Sequence, residues 1–222
     1  MKAATSSARP TTAKHRPLVM MKQHDFLTMM RQLERHGEHR REAGAFLLAS
    51  AAAAAETTRV HRVLNGLWHR IPTRLASASR HAHVDAVTAV AYYKDLDPGC
   101  LTGGITFHAI GYTRLSELCR SQGLRVVADI HLHPGNGTRQ STTDADHPMV
   151  ACAGHLALIA PRLGAYVTTP DELGAHVMTT TGWASYFSED IENVFLVRRT
   201  LRGLVMQIGT QVHTLLHTKG RQ

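Results

Sequence analysis

His131-Leu132-His133-Pro134-Gly135-Asn136-Gly137-Thr138-Arg139-Gln140-Ser141-Thr142-Thr143-Asp144 is the stretch that decides how the rest of the chain is read. The run before it, Val126-Val127-Ala128-Asp129-Ile130, is rich in β-branched residues and lies between Gly123 and Pro134, as a mostly buried strand would. Side chains two apart on a strand point to one face, so His131 and His133 emerge side by side at its end. A glycine-containing loop turns back, and Asp144 follows within reach. Two imidazoles and a carboxylate with a free fourth position suit a catalytic zinc ion, with Zn–N near ~2.0–2.1 Å, whereas structural zinc sites are usually closed by four protein ligands. Ser141 to Asp144 also has the S-x-x-D form of a helix capping box, and cap and ligand can share the same residues.

Outward from that stretch, the 222 residues suit one domain with extensions, and 43% hydrophobic content is enough for a core. The formal charge of +8 favours anionic partners in general. No zinc-finger spacing or RNA-recognition motif accompanies it, so nucleic acid is not the expected partner. Three widely spaced cysteines, Cys100, Cys119 and Cys152, form no C-x-x-C pair and fit a reducing compartment, and a cytoplasmic location is expected. The uncharged run Ala43 to Ala55 is too short to span a bilayer, and no membrane association is expected.

In chain order, residues 1–22 are basic and acid-poor and read as a disordered tail, a transit peptide being the alternative. Phe26, Leu27, Met30 and Leu33 have single-face helical spacing, and the charged segment Glu34 to Arg41 reads as a link. Val60 to Leu67 reads as sheet, residues 72–83 as a polar loop, and Val84 to Tyr93 as a strand. Asp97-Pro98-Gly99 marks a turn. Ile105, Ala109, Tyr112, Leu115, Leu118 and Cys119 share a helix face that Gly123 ends. His155 to Pro161 reads as an apolar strand, Val177 to Tyr186 as further sheet, and Phe195-Leu196-Val197 as a short strand. Leu201 to Leu216 has helical spacing. Cys152 is expected in an apolar helix and Trp183 in the core. Asp129 shares the face of His131, either beside the metal site or satisfied by hydrogen bonds.

H-x-H-P-x6-S-x-x-D resembles the JAMM motif of the JAB/MPN metallo-isopeptidases, residue for residue in spacing. Upstream, Glu42-Ala43-Gly44-Ala45-Phe46-Leu47-Leu48-Ala49 resembles that family's E-x-x-G-x-L-L-G, with Ala45 and Ala49 in place of glycines. The resemblance covers about residues 25–200 and implies an α/β fold. That fold is a single JAB/MPN domain, a mixed curved β-sheet flanked by helices in a cytidine-deaminase-like arrangement, with a C-terminal helix and tail over 201–222. The deaminases' own H-x-E and P-C-x-x-C signatures are missing. Carried onto matching positions, the resemblance implies one Zn2+ held by His131, His133 and Asp144. Glu42 would be the general base and Ser141 the donor to the oxyanion.

The implied activity is cleavage of an isopeptide or peptide bond after the C-terminal tail of a ubiquitin-like protein. The compact chain looks like the prokaryotic branch, where some members act beside ubiquitin-like conjugation enzymes in anti-phage defence. Processing of a sulfur-carrier protein shares the same motif. A non-catalytic scaffold or nucleic-acid-binding module is the reading from another class, and relatives of that kind typically lose the ligands that this chain keeps.

Overall fold

The computed structural model describes residues 17–52, 84–102 and 104–199. The expectations for Val60 to Leu67, residues 72–83 and residues 201–222 fall outside them.

Within the described residues eight strands, β1 (Val19–Lys22), β2 (Gly44–Ser50), β3 (Asp85–Tyr92), β4 (Leu124–Leu132), β5 (Leu156–Ala160), β6 (Gly174–Thr179), β7 (Gly182–Phe187) and β8 (Phe195–Arg198), form one mixed sheet in the order β7-β6-β5-β4-β2-β3-β1-β8. At its centre β2 runs antiparallel to both β3 and β4. Beyond β4, β5 is parallel, and β6 and β7 close that side antiparallel. Beyond β3, the strands β1 and β8 pair in parallel. The register shifts on both sides of β2 near Leu47–Ala49, and such bulges bend a sheet and increase its twist. The mixed, helix-flanked α/β sheet expected from the sequence is the one observed.

Both faces of β2 are covered, so it reads as an apolar run rather than an alternation. On one face lies α1 (Gln23–His36), whose Phe26, Met29, Met30 and Leu33 form the i, i+3, i+4, i+7 stripe of a buried helix face. Phe26 packs on Phe195 of β8, ring centroids 6.3 Å apart. On the other face Phe46 meets Tyr93 and Phe107 at 4.8 and 5.5 Å. Tyr93 opens the short helix α2 (Tyr93–Leu96), and Phe107 leads into α3 (Ala109–Gln122). Gly123 ends α3 at φ 62°, the left-handed turn that lets the chain enter β4 at once.

The start of α3 is capped from a distance. Asp97 accepts from the His108 backbone N–H at 2.8 Å and from its Nδ1 at 2.7 Å. The turn read at Asp97-Pro98-Gly99 therefore has a second task.

Several expectations need correction. The disordered tail does not extend to residue 22: Val19–Lys22 is a strand, with Val19 and Met21 buried against β3 and β8. The charged link is shorter than Glu34 to Arg41, because α1 continues through His36 and stops at Gly37. Ile105 lies ahead of α3 in a bridge with Leu101, not on the helix. Cys152 is exposed in an irregular segment rather than packed in a helix.

Gly44 has no room for a side chain. A Cβ there would stand 2.2 Å from the Tyr93 ring and 2.9 Å from the Ile130 carbonyl. Gly44→Ala should lower unfolding free energy by about 1–3 kcal/mol, the usual cost of overpacking, read from urea denaturation. Asp97 gives a second test. The His108 backbone hydrogen bond is the largest of the contacts that hold its carboxyl below the ordinary 3.8. A folded-state pKa below the unfolded one adds stability above the unfolded value and loses it as pH falls. The stability gap between the native chain and Asp97→Asn should therefore be full at neutral pH and shrink below about pH 4.

Candidate metal centre

β4 delivers the two histidines because its register is held on both sides. Gly44 of β2 pairs with His131, and so does Ile159 of β5. The opposite parity of β4, Ile130 and Leu132, is fully buried. Beyond the strand, the His133 N–H donates to the Ala160 carbonyl at 2.8 Å and the Leu163 N–H to the His133 carbonyl at 2.8 Å. His133 is therefore as firmly placed as a strand residue.

The loop returns at α4 (Thr142–Asp146), a single capped turn. Ser141 Oγ accepts from the Asp144 N–H at 3.1 Å, and Asp144 Oδ2 accepts from the Ser141 N–H at 2.7 Å. The capping box read from the sequence is real, and the same turn aims Asp144 at the histidines. Cap and candidate ligand coexist on Asp144. Asp144 Oδ2 lies 3.2 Å from His133 Nε2, Oδ1 lies 3.5 Å from His131 Nε2, and the two Nε2 atoms are 3.1 Å apart.

These distances test the fit of a metal. Tetrahedral zinc with bonds near ~2.0–2.1 Å has ligand–ligand edges of about 3.3 Å. The two Nε2 atoms, 3.1 Å apart, lie near that edge, and Asp144 presents one oxygen 3.2 Å from His133 and its other oxygen 3.5 Å from His131, so the three residues form a group able to hold one ion. The donor set, two imidazole nitrogens and a carboxylate with no thiolate, suits zinc in a catalytic rather than a closed site. His131, His133 and Asp144 would hold the ion.

The electrostatics agree. Burial alone would push the Asp144 carboxyl up, but hydrogen bonds from His131 and His133 together with that from Ser141 outweigh it and hold it well below the carboxylate range. The hydrogen bond to Asp144 raises His133 above the ordinary 6.5, against the opposing effect of burial.

Glu42 reaches the same cleft from the entry to β2. Two residues before Gly44, the register with β4 places it opposite His133, and the Leu132 N–H donates to the adjacent Ala43 carbonyl at 2.9 Å. Its charge acts on His133, and its Oε2 lies toward Gly104. Glu42, Ser141 and the three ligand residues line one cleft of roughly 500 Å3. Two other acids near Glu42 in sequence, Glu38 and Glu56, could compete for its place; Glu38 points elsewhere, into ion pairs with Arg40, Arg41 and Lys94. Glu56 lies outside the described residues.

The cleft floor holds what the sequence left open. Asp129, 3% exposed, accepts from His155 Nε2 at 2.5 Å and from the Tyr93 hydroxyl at 3.2 Å. It is satisfied by hydrogen bonds, and His155 is its partner rather than a ligand. Trp183 is half-buried at the cleft wall, its Nε1–H donating to the Ala145 carbonyl at 3.2 Å. His147 also lines the cleft. The pairing of Asp129 with His155 had no sequence signal, because Asp129 lies on β4 and His155 just ahead of β5, separated by a long connection.

No family model matches the chain. Among solved structures, it is similar to a protein from Desulfitobacterium hafniense at 12% identity and TM-score 0.47, covering 82% of this chain and 94% of that one. A protein from Salinibacter ruber is similar at 18% identity and TM-score 0.42, over 74% and 86%. A JAB1/MPN domain protein from Archaeoglobus fulgidus is similar at 12% identity and TM-score 0.35, over 83% and 100%. Likenesses this distant carry no weight for function, which rests on the chain's own residues. No helix of the described residues is long and apolar enough to cross a membrane.

The centre should take up one divalent ion per chain, measured by metal analysis after dialysis. His133→Ala should lose at least about 100-fold in zinc affinity. Protons compete for the same lone pairs, and His133 holds its proton more tightly than a free histidine. Affinity should therefore fall steadily from about pH 8 to 6.

Proposed function

We propose that the chain is a metal-dependent peptidase of the JAMM type, which cleaves the bond after the C-terminal tail of a ubiquitin-like protein. One observation carries the reading: two imidazoles and a carboxylate close enough to share one ion lie in a cleft with an independent carboxylate, Glu42, and a hydroxyl, Ser141. A divalent ion bound there supplies Lewis acidity and brings the pKa of water toward neutrality.

The chain's residues do the rest. Glu42 accepts the proton of the attacking water at its carboxylate and returns it to the leaving amine, the work of a general base turned acid. Ser141 Oγ already accepts from the Asp144 N–H, which leaves its own O–H hydrogen free to donate to the oxygen that gains charge in the transition state. Ile105, Met149 and Trp183 give the cleft apolar walls, against which an extended tail can lie and exclude water. No side chain needs to form a covalent bond to substrate. The basic balance of the chain gives substrates with acidic faces an attraction that salt weakens.

The test is a panel of fusions, each carrying a different ubiquitin-like or sulfur-carrier tail. The native chain should cut at least one, and a chelator should stop it. Glu42→Gln should keep its metal and lose about 10²–10⁴-fold in kcat. Cleavage that persists in chelator would overturn the metal mechanism. Full activity in Glu42→Gln would remove Glu42 from the role of base.

A further inference from the structure

The loop between His133 and Ser141 poses a problem of order. It contains Gly135, Asn136 and Gly137 and is largely exposed. Fixing each such residue costs about 1–2 kcal/mol of backbone entropy. Yet this loop determines where Ser141 and Asp144 stand relative to the histidines, and a ligand set is useful only if its third member arrives in place.

The loop is held from outside. Near its start, the Arg162 N–H donates to the Gly135 carbonyl at 2.7 Å. At its middle, Thr138 lies flush on β6: a Cβ on Gly174 would come within 2.0 Å of the Thr138 carbonyl oxygen. Two residues on, His176 points to the same place. It is 1% exposed, and its Nε2 lies 2.9 Å from that same carbonyl oxygen.

A carbonyl can only accept, so Nε2 carries the hydrogen. The other ring nitrogen, Nδ1, lies 2.9 Å from Ser185 Oγ, and Ser185 is the residue directly opposite His176 on β7. In the neutral ring Nδ1 accepts, so the serine hydroxyl donates and fixes the tautomer. Burial lowers the His176 pKa, in keeping with the neutral form. Phe187 meets the His176 ring edge-on at 5.7 Å, and Arg139 of the loop lies over the Phe187 ring, 5.0 Å from its centroid. Farther along, Trp183 of β7 holds the Ala145 carbonyl, in the turn that carries Asp144.

We infer that His176 is a positioning residue for the metal centre: from β6 it clasps Thr138 and so sets where Asp144 and Ser141 stand. It touches neither metal nor substrate. The inference rests on the reading of His131, His133 and Asp144 as a metal centre. Outer partners that orient ligands typically change metal affinity by about 10–100-fold when removed.

The test uses the full chain and three variants, His176→Leu, His176→Gln and Ser185→Ala. Cobalt(II) and zinc affinities are measured against a competing chelator, with the cobalt visible spectrum as a report of ligand geometry. Amide hydrogen exchange across residues 135–140 is followed in the metal-free proteins. His176→Leu should bind zinc about 10–100-fold more weakly, with an altered cobalt spectrum and faster loop exchange. His176→Gln, whose amide N–H can replace Nε2–H, should stay within about threefold of the native affinity. Ser185→Ala should lose about three- to tenfold, the worth of one hydrogen bond, and it decides the matter if His176→Leu does not fold. A native chain that takes up no metal overturns the metal centre and this inference together. Native binding with unchanged affinity and spectrum in a folded His176→Leu or in Ser185→Ala overturns the inference alone, as does a glutamine variant no better than leucine.

Discussion

The parity of β4 is the constraint on which the rest of the molecule depends. Side chains on a strand alternate, so the face that shows Asp129, His131 and His133 to the cleft turns Ile130 and Leu132 to the core. Burying each of those two aliphatic residues contributes roughly 1.5–3 kcal/mol. A slip of one residue would expose them and drive the imidazoles and a carboxylate into the apolar side. The core thus enforces the site. Pairing with β2 on one edge and β5 on the other leaves β4 no free edge along which to slide.

Beneath the histidines the fold accepts a buried carboxylate, which demands partners. Asp129 has one for each oxygen, His155 on one side and Tyr93 on the other. Removing either partner would leave a polar group buried and unmatched, a larger penalty than the net gain from a hydrogen bond. The pair also ties β4 to the segment entering β5 and to α2. The floor of the cleft and the fold's centre are therefore one structure.

Legibility in the sequence followed how local the physics is. The α1 stripe, the Gly123 stop, β5 and the H-x-H strand were all readable, because each is a periodicity or a backbone requirement within a short window. Ser141 to Asp144 was readable twice, as cap and as candidate ligand; the cap is there, and the same turn brings Asp144 to the two histidines. Glu42 was another matter: an acid before an apolar run has no local mark, and only the resemblance to a family motif singled it out. What stayed hidden depends on distant partners. Val19–Lys22 reads as the end of a basic tail, because its burial comes from strands distant in sequence, β3 and β8. His176 is one histidine among sixteen; its meaning comes from Thr138 and Ser185, which only the folded sheet brings to it. Cys152 sat in an apolar run that the structure leaves irregular.

The central claim, that two imidazoles and one carboxylate converge on a single ion, is tested most directly by zinc K-edge X-ray absorption on the full chain. The account predicts two imidazole nitrogens with oxygen completing the shell, all near ~2.0–2.1 Å. A sulfur scatterer near ~2.3 Å, or a shell without imidazole, would contradict it.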